Sequence, residues 1–389
     1  MKSKKKIAIL ADFPWSFFDH GATGRGGGQA STWLAQLAEE FAKFCPYEVH
    51  WITIDRGGIG ARSVTMEWGG QHFHKIQSVK VSIGLALNYV PSRFLLSRAL
   101  RKIGPHLIHA WGTEHSYPVA CGTCGVPSIL SMQGVLTNLA KRGYLPNHWY
   151  WRKLAKMEVE FIRSATIVTC ESQWAIERVL ETLPAAATRQ VEYGVHSSFY
   201  DIAWQPETVR PYALFVGTLA EYKGVAVLLE AVRRAACNSW SLRIAGDGPL
   251  RDVLEACDIP NVEYLGVLPW FDLQLQMKGA CCLVHPTLAD SSPNVVKEAR
   301  VIGLPVITTI HGGQAGYIRN GENGIIVEPL NPDSLAEALS RLLGDSELAK
   351  RMGAARHAED RAYFRPENTA RGFMEIYDEL LREGPSASV

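Results

Sequence analysis

Two carboxylates eight positions apart, Asp290 and Glu298, and one lysine, Lys223, have the residue types and settings suited to a phosphorylated, hydroxyl-rich ligand. Asp290 opens the run Asp290-Ser-Ser-Pro-Asn-Val-Val-Lys-Glu298. Ser292 is a good N-cap and Pro293 suits a first helical position, so a helix is expected there, with unbonded N–H groups that attract an anion. On that helix Val295, Ala299 and Ile302 recur at i, i+4, i+7 as a buried stripe, while Asn294 and Glu298 share a different face. Lys223 stands in Gly217-Thr-Leu-Ala-Glu-Tyr-Lys-Gly224, a strand-to-helix loop where an ammonium meets phosphate beside backbone donors. Asp290 suits sugar hydroxyls or positive charge at an anomeric carbon, and equally suits capping its own loop. Glu298 suits ribose hydroxyls or an unpaired place on a helix surface, and Lys223 has the plainer alternative of a solvated surface lysine.

Elements that would hold these groups follow from the apolar pattern. Residues 280–285 read as a strand ahead of Asp290; Gly303 and Pro305 end the helix, and residues 306–309 read as the next buried strand. Upstream, strands at 212–216, 241–245 and 262–265 alternate with helices, which argues for a parallel sheet with Lys223 and Asp290 at carboxyl ends of strands. The first half repeats the pattern, with strands at 6–11, 48–54, 107–111, 128–132, 165–170 and 190–193. Gly26-Gly-Gly28-Gln29 opens a helix there, either as a ligand-binding turn or as glycines that allow tight packing. The expected fold class is α/β, two Rossmann-like doubly wound parallel-sheet domains facing across a cleft. Residues 1–203 form the first domain and 204–362 the second; a final helix and tail, 363–389, return to the first.

At 389 residues, 47% hydrophobic and 20% charged, the chain has the make-up of a soluble globular protein. A net charge of +1 argues against nucleic-acid binding by bulk electrostatics. The apolar run at 7–11 is too short for a secretory signal and no run has the length of a membrane span, so a cytoplasmic setting is expected. The scattered cysteines, Cys121-Gly-Thr-Cys124 included, lack a second metal-binding pair and read as reduced thiols. Residues 138–163 mix Tyr144, Trp149, Tyr150 and Trp151 with Arg152, Lys153 and Lys156. This tract suits either core packing or contact with a membrane surface or lipid-linked substrate.

The ordered motif set resembles the retaining glycosyltransferases of family 4, which have the GT-B fold. That family carries a strand ending in Pro-Ser, a glutamate, seven residues, a second glutamate, and then Ala-x-x-x-Gly-x-Pro-Val-Ile. Here the run is His285-Pro286-Thr287, Asp290, Glu298, Ala299, Gly303, Pro305, Val306 and Ile307. Phe215-Val-Gly217 with Lys223-Gly224, Gly246-Asp-Gly-Pro-Leu250, Val262-Glu-Tyr-Leu-Gly266, Gly312-Gly313 and Asn320-Gly-Glu-Asn-Gly324 also match, with Gly26-Gly-Gly28 and Gly194-Val195 in the first half.

The resemblance implies a glycosyltransferase using a UDP- or GDP-sugar and a saccharide or lipid-linked acceptor. It requires no cofactor or metal. Lys223 would bind the diphosphate, with Gly217 and Thr218 in the phosphate loop. Glu298 would bind ribose, and Ser291, Ser292, Asn294 and Val295 phosphate and sugar. Asp290 would contact the transferred sugar, Gly266 and Val267 would line the base pocket, and Gly27, Gly28, His115 and Gln133 would belong to the acceptor side. Four positions depart from the family: Asp290 replaces a glutamate, Thr218 an arginine, Gln133 a histidine and Gly316 a glutamate. Arg25 or Arg300 could replace the missing cation. Two other readings stay open: a catalytically weak nucleotide-sugar-binding scaffold, and a sugar-nucleotide 2-epimerase.

Overall fold

The structure, a computed structural model, describes residues 4–20, 32–56, 63–235 and 239–383. Two compact units divide the chain: Met1–Tyr193 with Pro366–Val389, and Gly194–Arg365.

The first unit is built on an eight-stranded sheet. Its strands are β1 (Lys6–Leu10), β2 (Glu48–Asp55), β3 (Val64–Trp68), β4 (Gln71–Gln77), β5 (Leu107–Trp111), β6 (Ser128–Ser131), β7 (Ile167–Cys170) and β8 (Thr188–Gln190). Their order is β3-β4-β2-β1-β5-β6-β7-β8, and only the β3–β4 pair is antiparallel. The central strands β1, β5, β6 and β7 are apolar and buried because helices cover both faces. β3 and β4 are an addition to the expected sheet. β3 is exposed throughout, and β4 alternates Gln71-His-Phe-His-Lys-Ile-Gln77, so neither has a buried-strand pattern. Strand order turns at β1 and β5: the chain leaves β1 toward β2 and returns to β1's other side at β5. The helix Pro366–Glu383 belongs to this unit and buries Phe373, Ile376, Tyr377 and Leu380 against Leu107, Trp111, Val191 and Tyr193.

The second unit has six parallel strands: β9 (Tyr212–Val216), β10 (Ser241–Ala245), β11 (Val262–Gly266), β12 (Cys282–His285), β13 (Val306–Thr309) and β14 (Gly324–Val327). The order β11-β10-β9-β12-β13-β14 reverses between β9 and β12. In open α/β sheets, ligands bind at the carboxyl ends of the strands flanking such a reversal. Val195 donates its N–H to the Phe364 carbonyl at 2.8 Å and, with Phe199, packs beside Phe364. The exposed run between the strand series is therefore short, 207–210, next to Pro206.

Candidate functional site

In the second unit three loops meet at the reversal between β9 and β12. After β9 the chain turns through Glu221–Lys223 to Gly224, whose φ of 77° is left-handed. A Cβ on Gly224 would lie 2.2 Å from the Pro286 carbonyl oxygen, so only glycine lets these two loops touch. Hydrogen bonds from Leu288 N–H (2.7 Å) and Thr287 Oγ1 (3.2 Å) to the Tyr222 carbonyl tie them further. The loop after β13 joins through Gly313 N–H, which donates to the Asp290 carbonyl at 2.8 Å. Gly312 beside it, at φ 139°, has no room for a Cβ, which would meet that same carbonyl at 2.7 Å.

This convergence presses Lys223 Nζ against Asp290 Oδ2 as an ion pair with both side chains 14% exposed. His285 Nε2, from the end of β12, lies 3.3 Å from the same carboxylate oxygen. Burial alone would raise the Asp290 pKa, but the Lys223 cation and the His285 contact outweigh it and hold the carboxyl well below its usual range. Burial likewise opposes charge on Lys223, and Asp290 restores it, so that its pKa is raised. Burial lowers the His285 pKa. The arrangement is therefore a fixed cation and anion with a neutral imidazole behind them. His285 carries no ligand-binding signal as a residue within an apolar strand, and only the fold reveals it as Asp290's partner.

The helix after Asp290 is Asn294–Ile302, closed by Gly303. Its N-cap is Pro293 instead of Ser292, with no side-chain cap. Tertiary contact explains the correction: the Ser292 hydroxyl is 2.8 Å from the Tyr317 hydroxyl, 25 residues away in sequence. Ser291, Ser292 and Val295 are buried; of the expected polar edge Asn294 is exposed and Glu298 is half-buried. Burial, partly countered by Lys297, pushes the Glu298 carboxyl up to about 7. Gly217 and exposed Thr218 follow β9, Gly266 ends β11, and Val267, 70% exposed, follows it.

Arg300 is not a substitute for the cation missing at Thr218. It is fully buried, paired through Nε to Asp360 Oδ2 at 2.9 Å, and donates to the carbonyls of Leu304, Asn323 and Ala355. These four hydrogen bonds tie the helix Asn294–Ile302 to Asp360 and to the chain at Leu304, Asn323 and Ala355. Arg25, Gly27 and Gly28 lie outside the described residues.

In the first unit the reversal between β1 and β5 gathers a second polar group. Asp12, after β1, accepts from Arg56 Nη1 at 2.9 and 3.1 Å and from the Tyr117 hydroxyl, and lies 3.2 Å from His115 Nε2. Glu114 sits beside exposed Gln133: a Cβ on Gly112 would be 2.5 Å from Glu114 Oε2 and 3.4 Å from Gln133 Oε1. Arg56 Nη2, His115 Nδ1 and Glu114 Oε2 are buried with no protein partner among the described residues. Burial, with Glu158 near, pushes the Glu114 carboxyl up to about 7, and burial lowers the His115 pKa. Glu114 is thus a carboxyl able to take a proton near neutral pH. Asp12 and Arg56 had no signal in sequence, since they become neighbours only when β1, β2 and β5 pair. Of the mixed tract, Tyr150 and Trp151 pack against the core and Trp149 is 43% exposed.

Residues 200–358 match the family described as Glycosyl transferases group 1, and residues 26–199 match Glycosyltransferase Family 4. An uncharacterized glycosyltransferase of Methanocaldococcus jannaschii is 26% identical over 302 residues, 72% of this chain and 79% of that protein. A GDP-mannose-dependent alpha-mannosyltransferase of Corynebacterium glutamicum is 24% identical over 315 residues, 76% of this chain and 74% of that protein. Among solved structures, the sucrose-phosphate synthase of Thermosynechococcus elongatus superposes with a TM-score of 0.76 at 17% identity, covering 98% of this chain and 100% of that one. Anabaena HepE, solved with UDP-glucose, gives 0.70 at 16% identity, covering 96% and 99%.

Proposed function

Because the chain belongs to the family 4 glycosyltransferases and has their GT-B fold, we propose that it moves a sugar, with retention of configuration, from a nucleoside-diphosphate sugar to a saccharide or lipid-linked hydroxyl. Surface polysaccharide or glycoconjugate synthesis is the setting such an acceptor fits. The observation that carries this reading is the Lys223–Asp290 pair at the reversal of the second sheet. A diphosphate entering there competes with Asp290 for Lys223 and meets the first-turn N–H groups of Asn294–Ile302, while the released Asp290 carboxylate turns to the sugar. Glu298 takes the ribose hydroxyls, and the Gly266–Val267 turn borders the base. The diphosphate leaves on protein donors and Lys223, with no metal assigned to the step. The relatives support a UDP- or GDP-sugar, since one is GDP-mannose-dependent and one was solved with UDP-glucose.

A panel of UDP-, GDP- and ADP-sugars tested by thermal unfolding identifies the donor. A ligand at a hundred times its dissociation constant adds about 2.7 kcal/mol, whereas no response from any member would exclude the reading. One observation favours the weaker, scaffold-like alternative: Arg300 is committed to Asp360, so it adds no charge beside Thr218. A Lys223→Ala chain that keeps full cellular function would select that alternative.

The acceptor is proposed to reach the enzyme at the inner face of a membrane, with the protein cytoplasmic. No helix among the described residues is long and apolar enough to cross one. Ile83, Leu87, Val90 and Phe94, between 48 and 63% exposed, instead form an apolar row flanked by exposed Lys80, Arg93 and Arg98. Lys153, from the mixed tract, donates to the Ala86 carbonyl at 3.0 Å and extends the basic flank. Apolar side chains with a basic border suit an anionic bilayer surface.

A further inference from the structure

At the end of the first sheet opposite Asp12 and Glu114, imidazoles and carboxylates collect on one face. Side chains two apart on a strand share a face, so Glu48 goes with His50 and His72 with His74. β2 and β4 run parallel with His50 opposite His72. β3 runs antiparallel to β4, placing Glu67 opposite His72 and Thr65 opposite His74. Pairing alone thus assembles the whole cluster.

Its nitrogens are ordered in a particular way. The His50 and His72 rings stack with centroids 4.6 Å apart, and both turn Nε2 toward Glu48 Oε1, at 2.9 and 4.0 Å. The other nitrogens face partners: His72 Nδ1 is 3.1 Å from Glu67 Oε1, His50 Nδ1 is 3.1 Å from His74 Nε2, and His74 Nδ1 is 3.3 Å from Thr65 Oγ1. With the Nδ1 hydrogens given to those acceptors, both Nε2 lone pairs point at the Glu48 carboxylate. In that tautomer the two lone pairs and the carboxylate are arranged to receive one cation. An imidazole whose far N–H is held by a carboxylate or a second ring is the usual support of a metal ligand.

We infer that Glu48, His50 and His72 bind one divalent first-row transition ion, of which zinc is the best match, and that the ion fastens the β3–β4 hairpin to β2. The three ligand atoms lie within 4.8 Å of one another. Zinc with ligands at ~2.0–2.2 Å in tetrahedral array separates them by roughly 3.4 Å, between the two distances from Glu48. Glu48 and His72 side chains are 29 and 28% exposed, which leaves an entry path and room for water as fourth ligand. Lys6 Nζ, 3.3 Å from Glu48 Oε1 and a third exposed, neutralises that carboxylate until the ion displaces it. The ligands stand at the amino ends of β2 and β4, away from the strand ends where the polar group of Asp12 and Glu114 lies, so the ion's role is structural.

The test uses the full chain without an affinity tag, stripped with EDTA and titrated with zinc chloride, followed by bound-metal analysis and thermal unfolding. One zinc per chain and a raised Tm are expected. His72→Ala should weaken binding at least tenfold, and Glu67→Gln by roughly ten- to a hundredfold, because it loosens the His72 ring without removing a ligand. Lys6→Met should tighten it. Absence of stoichiometric zinc, or zinc binding as tight as the parent's in both the His72→Ala and the Glu67→Gln chains, would overturn the inference. Should His72→Ala fail to fold, Glu67→Gln alone decides.

Discussion

Lys223 and Asp290 are 67 residues apart in sequence and ion-paired in the fold, because β9 and β12 are neighbours and the loops that follow them meet. Neither residue finds this partner through local structure. The pair keeps a cation charged in a partly buried place, ready for a stronger anion, and keeps Asp290 ionised at any physiological pH.

Glu298 should make donor binding pH-dependent. Burial lifts its carboxyl from 4.5 to about 7, and the ionised form is the better acceptor for two ribose hydroxyls. Affinity for an intact nucleotide sugar, whose phosphates do not titrate there, is expected to rise as pH increases through 7. Glu298→Gln should flatten the profile, as measured by calorimetry between pH 5.5 and 8.5.

Glu114 should weaken the first unit at alkaline pH. Its folded pKa, about 7, lies above the ordinary 4.5, so the folded chain holds the proton more tightly. That favourable contribution is complete below 4.5 and is lost as pH rises to 7. Glu114→Gln should therefore be more stable than the parent by about 3 kcal/mol at pH 8 and nearly equal to it at pH 4. Urea unfolding at the two pH values measures both.

Arg300 is assigned to packing, and its loss should show as instability without loss of donor affinity. Removing one partner of a buried pair leaves Asp360 uncompensated, a cost of about 3–5 kcal/mol. Chemical unfolding should show that loss for Arg300→Ala, while calorimetry at low temperature finds an unchanged donor dissociation constant in the folded fraction.

The apolar row should bind bilayers. Val90→Asp with Phe94→Asp removes two side chains more than 60% exposed, so stability should change by less than about 1 kcal/mol. Sedimentation with phosphatidylglycerol vesicles should fall at least tenfold. Unchanged sedimentation would remove the membrane from the account.

Legibility followed burial. β5, β9, β10 and β13 carry the residue bounds expected from sequence: β5, β9 and β13 are buried throughout, as parallel strands covered on both faces are, and β10 keeps Leu242, Ile244 and Ala245 buried around half-buried Ser241 and Arg243. The alternation of strands and helices likewise put Lys223 and Asp290 at carboxyl ends of strands in one sheet, and the strand order shows those two strands to be neighbours. What sequence could not convey came from tertiary pairing. The hairpin of β3 and β4 puts polar residues at an exposed edge, the Ser292 hydroxyl pairs with the Tyr317 hydroxyl while Pro293 takes the N-cap position, and His285 looks like strand filling until Asp290 folds back on it. Arg300 reads as a free cation on a helix and is enclosed by carbonyls.

The most direct measurement is the dissociation constant of the responding nucleotide sugar for the parent chain, for Lys223→Ala, and for Arg233→Ala on an exposed helix surface as control. Charged hydrogen bonds contribute about 1.5–3 kcal/mol, so Lys223→Ala should bind the donor roughly ten- to a hundredfold more weakly while the control is unchanged. If Lys223→Ala remains folded and binds the donor as tightly as the parent, the donor site is not where the β9 and β12 loops meet.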